Sequence, residues 1–211
     1  MSEVAAGERA SAGEGRAELR LAAGLSNVSI EARTGMDRLV RGRFQGEIPG
    51  VDIDGSRVTI RSQRNPLDAL LALLGCRPKP SGEIAINADL AWELDIWGGV
   101  SNVSADLRGA RLESLEIAGG VNSVEIDLPR PSGAARVEIT GGVSRVTLRR
   151  PAGVPVVLQA RGGVSGLNLD GQRVRMIGGA YHWQSPGFDP DADHYSLDVR
   201  GGVSGMTLDT R

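Results

Sequence analysis

Apolar and polar residues alternate along most of this 211-residue chain, and pairs of glycine punctuate the alternation. Before one such pair, Trp92, Leu94 and Ile96 alternate with polar or charged residues; after it come Val100, Val103, Ala105 and Leu107. The same runs recur as Leu115 and Ile117, then Val121, Val124, Ile126 and Leu128. They return as Ala135, Val137 and Ile139, then Val143, Val146 and Leu148, and as Val156, Leu158 and Ala160, then Val164, Leu167 and Leu169. A period of two, rich in β-branched residues, predicts strands. The longer step from Val100 to Val103 predicts a bend or bulge at Ser101 and Asn102. Paired glycines supply positive φ or let backbone approach backbone, so the unit reads strand, Gly-Gly corner, strand, turn.

Five copies align on Gly98, Gly119, Gly141, Gly162 and Gly201, and a sixth, AGLSNVSIEA, begins at Ala23. The second glycines Gly99, Gly120, Gly142 and Gly163 recur every 21 or 22 residues, whereas the step to Gly202 is 39, with a degenerate Gly178-Gly179 inside the gap. An antiparallel meander could use the glycines as hairpin turns. Coil length favours a β-solenoid, because about 21 residues at roughly 3.3 Å each make one narrow coil. Stacking also explains identical residue types at identical positions. The expected fold is therefore all-β, a right-handed single-stranded β-solenoid, the hand following from the preference of parallel crossovers. Composition agrees: 30 glycines and only 3% aromatics leave small aliphatics to fill a narrow interior.

The recurrent L-x-I-x-G-G-V-x-x-V-x-x-x-L, read from Leu94 to Leu107 and again from Leu115 to Leu128, resembles the toast-rack or putative-adhesin domains of bacterial single-stranded β-helices. The resemblance extends over most of Ala17 to Asp209. It implies a noncatalytic module linked to cell-envelope or stress-response systems.

Two segments break the repeat. Residues 65–80 predict a short helix, with Asn65 as N-cap, Pro66 at the first helical position and Gly75 at the stop. Leu67, Leu70, Leu71, Leu73 and Leu74 would cover nearly all its faces, so it either plugs the solenoid or docks a partner or membrane surface. Residues 172–194 predict a loop insertion holding both histidines and several carboxylates. The calcium-loop template fails there, since His194 stands in place of the glycine and Arg200 in place of the glutamate. Tyr181, Trp183 and Phe188 would instead offer an aromatic interaction surface. Residues 1–16 are expected to be a disordered tail ahead of a solenoid domain at 17–211.

Stacking predicts residue columns. One reads Asp95, Glu116, Glu138, Gln159, Asp198; another reads Glu31, Asp106, Asp127, Arg149, Asp170, Asp209. Like charges about 4.8 Å apart need solvent or a cation, and polysaccharide lyases on β-helices use such clusters. No aromatic sugar platform is expected beside them, so an enzyme is not predicted and carbohydrate binding is the alternative to a protein-interaction scaffold. A column of Ser101, Asn122, Ser144, Ser165 and Ser204 predicts a hydrogen-bond ladder at the corners.

Charge and cysteines narrow the field. A net charge of −2 offers no field for nucleic acid. The lone Cys76 excludes a disulfide framework or a cysteine zinc site, and no nucleotide or hydrolase motif is present. No cofactor or metal is expected. With no apolar run of membrane length and no signal-like core in residues 1–16, a cytoplasmic protein is expected. The last repeat ends at Asp209, which suggests an uncovered final coil and end-to-end homodimers.

Overall fold

The computed structural model describes residues 2–8, 15–22, 24–45, 49–62 and 81–211, and every regular element among them is a strand. Seven coils each contribute one strand to each of two facing sheets. In spatial order the coils are β6 (Arg57–Arg61) with β7 (Ser81–Asn87), then β2 (Arg16–Ala22) with β3 (Ser26–Arg33), then β8 (Ala91–Trp97) with β9 (Val100–Asp106). There follow β10 (Arg111–Ala118) with β11 (Val121–Asp127) and β12 (Ala134–Thr140) with β13 (Val143–Arg150). Next come β18 (His194–Arg200) with β19 (Val203–Thr210), and finally β14 (Val156–Arg161) with β15 (Val164–Leu169). Neighbouring coils pair in parallel, and equivalent residues face each other, as in Val121 with Val143 and Val100. Parallel stacking of this kind is a two-sheeted solenoid and not a meander.

The alternation sends one side chain in two to the interior. Leu94, Ile96, Leu115, Ile117, Val137 and Ile139 from one sheet meet Val103, Ala105, Val124, Ile126, Val146 and Leu148 from the other, all buried. At each corner the first glycine of the pair has φ in the left-handed region, for example 83° at Gly119 and 86° at Gly141. A Cβ on Gly141 would lie 3.2 Å from the backbone nitrogen of Gly119 in the adjacent coil. The glycine column is thus required twice over, for φ and for inter-coil approach. The longer step beyond each corner is a second bend: Asn27, Asn102, Ser123 and Arg145 all adopt positive φ, between 52° and 60°. Asn102 Nδ2 donates to Asn27 Oδ1 at 3.1 Å along this column, and Ser144 Oγ donates to Asn122 Oδ1 at 2.8 Å in the neighbouring one.

Antiparallel strands close both ends. On one side β4 (Arg38–Gln45) lies on β7, β1 (Ser2–Glu8) lies on β4, and β5 (Gly50–Asp54) lies on β6. Strand β1 falls where the sequence suggests a disordered tail; pairing with β4 supplies the partner that composition does not reveal. On the other side β16 (Gln172–Ile177) lies on β15 and β17 (Ala180–Gln184) on β14, joined through Gly178-Gly179. The 172–194 segment is therefore not merely a loop. It folds back as two strands that occupy the outer edges of the β14–β15 coil.

That capping decides where the last coil goes. Strand β19 lies between β13 and β15, and β18 between β12 and β14. Both edges of the final strand are hydrogen-bonded, so the uncovered C-terminal coil suggested by the sequence does not exist, and β19 offers no edge for end-to-end dimers. The expected helix at 65–80 lies outside the described residues. No helix among the described residues is long and apolar enough to cross a membrane.

Candidate functional site: the exposed face around Trp97

Strand β8 carries two tryptophans of opposite parity. Trp92 points inward, 1% exposed, and its Nε1 donates to the Asn87 carbonyl at 2.7 Å. Trp97, five residues later, points outward immediately before the Gly98 corner and is 57% exposed. Its lateral neighbours in the sheet are Ala22 on β2 and Ala118 on β10, both too small to cover an indole. Tryptophan is enriched where proteins meet partners, so an open indole is the candidate to weigh first. Among the described residues only Ile53, on the edge strand β5, is comparably exposed.

Around the ring the nine-stranded sheet presents charge. Two residues before Trp97, Asp95 faces Arg20 on one side and Glu116 on the other. Arg20 donates to Asp95 Oδ2 from both Nε (3.2 Å) and Nη2 (3.0 Å), and also lies 3.1 Å from Glu18. Arg20, Asp95, Ile96, Trp97 and Glu116 line a depression of about 200 Å³. The acidic column runs on through Glu138 and Asp198 to Gln159, as stacking predicts but with Asp198 displaced inward by the coil order. Arginines neutralise it at intervals: Arg136 bonds Glu138 at 2.6 Å, and Arg200 chelates Asp198. Hydrogen bonding to Arg200 holds the Asp198 carboxyl below its ordinary value, against a smaller opposing effect of burial. The Asp106 carboxyl on the opposite face is lowered in the same way by Arg108.

The second column is likewise bridged by cations from within the chain. Arg149 sits 3.1 Å from Glu125 and 3.8 Å from Asp127, and the buried Arg150 holds Asp170 bidentately at 2.7 Å. Among the described residues no group of three or more His, Cys, Asp or Glu could hold a metal ion.

The aromatic residues of the 172–194 segment do not form an exposed surface. Trp183 is 7% exposed, with Nε1 donating to Gln172 Oε1 at 3.3 Å, and Tyr181 packs half-buried against the core. Phe188 is half-buried and packs edge-on to His194 at 5.2 Å. Asp193 accepts from the Gly133 amide at 2.6 Å, and Ser185 Oγ accepts from Val156 at 2.9 Å. These contacts pin the segment as a cap. Leu67, Leu70, Leu71 and Leu74 lie outside the described residues. The site that sequence reasoning missed is Trp97, and with it the assumption that no aromatic platform flanks the acidic column. The signal was present: the odd spacing between Trp92 and Trp97 in an alternating strand must put one ring inside and the other outside.

Stacked two-strand coils, glycine corners and antiparallel end caps define a β-solenoid scaffold with broad, charged outer faces. The chain belongs to the toast-rack family: residues 3–149 match the model of the N-terminal domain of toast_rack, DUF2154. In three dimensions it is similar to the crystal structure of a putative cell adhesion protein from Clostridium sporogenes ATCC 15579. The TM-score is 0.67 over 100% of this chain and 98% of that one, at 17% identity, a likeness of fold alone. No curated protein matches the chain in sequence.

Proposed function

We propose that the protein is a noncatalytic interaction scaffold, linked to cell-envelope or stress-response functions, that docks a partner on the outer face of the nine-stranded sheet. The observation that carries this reading is Trp97, a large ring left open on an otherwise charged, rigid surface. Aromatic anchors on flat faces are the typical hot spots of protein association. The ion pair of Asp198 suits a structural role better than that of a general acid. A general acid needs its pKa raised toward the working pH, whereas arginines lower that of Asp198. Carbohydrate binding is the second reading, favoured by the position of Trp97 beside Asp95 and Glu116.

A photo-crosslinking residue at Ala22, beside the ring, tests the proposal in cells. A discrete crosslinked protein that disappears in Trp97→Ala is expected. Crosslinks that persist in that variant, or cleavage of an acidic polysaccharide abolished by Asp95→Asn, would overturn it.

A further inference from the structure

The four carboxylates Asp95, Glu116, Glu138 and Asp198 follow one another across four adjacent strands in register. Asp95 has Arg20; Glu138 has Arg136 at 2.6 Å and Arg200 at 3.9 Å; Asp198 has Arg200. Glu116 has none among the described residues. Its neighbours along its own strand face are Ser114 and Ala118, and across the strands Asp95 and Glu138. Three arginines thus serve a row of four carboxylates. The unmatched one lies on the strand next to Trp97, one row from its ring.

We propose that Trp97, Asp95 and Glu116 receive an arginine guanidinium from a partner protein laid across this sheet. The inference deepens the docking reading above and rests on it. Three observations select this group. Glu116, exposed and without an ion pair among the described residues, can accept a cation without displacing an internal partner. The indole face offers an electron-rich wall for it, and a guanidinium, being planar and weakly hydrated, stacks on such a face while its N–H fork reaches carboxylates. Trp97 is the one aromatic residue that lines the depression, which therefore lacks the several-sided aromatic cage that selects quaternary ammonium groups. Arg20 shows that a guanidinium is held here: its Nε and Nη2 both donate to Asp95 Oδ2, and among the described residues no hydrogen bond reaches Asp95 Oδ1 or the Glu116 carboxylate.

The test is an NMR titration of the full chain with a capped Gly-Arg-Gly-Arg-Gly peptide, followed at the Trp97 indole and the Ala22 and Ala118 amides. The isosteric citrulline peptide and a neutral and an acidic oligosaccharide form the other arms. The buried Trp92 indole, unchanged throughout, reports that each variant is folded. Saturable shifts with the arginine peptide are expected. They should be weakened about fivefold by Glu116→Gln, lost in Trp97→Ala and reduced by added salt. Equal binding of the citrulline peptide, no effect of Glu116→Gln, or no binding at ten millimolar peptide would overturn the proposal. Oligosaccharide binding without arginine binding would overturn both this inference and the protein-docking reading in favour of the carbohydrate one. Loss of the cellular crosslink in Trp97→Ala without arginine binding would sink the inference alone. Trp97-dependent self-association in sedimentation equilibrium would assign the arginine to a second copy and overturn its assignment to a different protein.

Discussion

The two glycines of the Gly141-Gly142 corner are equivalent in sequence but not in structure, and this asymmetry permits a sharp test. Gly141 has φ +86°, and a Cβ there would stand 3.2 Å from the Gly119 nitrogen and 3.4 Å from its Cα. Gly142 lies outside the left-handed region, and its Cβ would meet nothing nearer than the Gly119 carbonyl oxygen at 4.0 Å. For Gly141→Ala the left-handed conformation costs about 1–2 kcal/mol. Backbone cannot rotate aside as a flexible side chain could, so two coils must separate slightly, adding about 1–2 kcal/mol in the manner of an overpacked core. A loss of about 2–4 kcal/mol is expected, a fall in Tm on the order of 5–15 °C for a chain of this size. Gly142→Ala should change stability by less than about 1 kcal/mol, and in the favourable direction if anything, by restricting the unfolded chain. Urea melts followed by far-ultraviolet circular dichroism measure both. Equal midpoints for the two variants, or a larger loss at Gly142, would refute the stacked-corner argument.

Four further outcomes are expected. Arg145 is an exposed residue held at φ +52°, so Arg145→Gly should raise stability by about 1 kcal/mol, read as a higher urea midpoint. Val121→Asp places an unpaired charge among buried aliphatics and should leave no soluble folded protein, and Met206→Pro, which breaks a strand paired on both edges, should also unfold the chain rather than split a dimer; solubility and circular dichroism decide both. Because the folded-state pKa values of Asp106 and Asp198 are depressed, their ion pairs stabilise the fold above the ordinary carboxylate range and the benefit is lost as pH falls through the depressed values. Urea midpoints should thus be flat near neutrality and drop below about pH 4, with a shallower drop in Asp198→Asn.

Strand identity, the inward set and the corner positions were legible in the sequence because each rests on local geometry. A period of two must alternate faces, a Gly-Gly pair admits positive φ, and the step from Val100 to Val103 marks an added residue, which proves to be Asn102 in the left-handed region. The residue columns followed as well, since parallel coils of equal length align like with like. Coil order did not follow, and the reason is the repeat itself. Coils with near-identical edges can stack on one another in any order, so local sequence does not rank the arrangements. The order was set by tertiary capping: β16 and β17 fold back onto the β15 and β14 edges, and the last coil then fits only between the β12–β13 and β14–β15 coils. The same holds for the functional face. Parity alone sent Trp97 outward, but its exposure depended on which residues flanked it across strands, and only the register that set Ala22 and Ala118 beside the ring left it open. The pairs Arg136–Glu138 and Arg200–Asp198 are two residues apart on one strand and follow from alternation, whereas the Arg20–Asp95 pair, and with it Glu116 as the carboxylate left unmatched among the described residues, depended on inter-coil register.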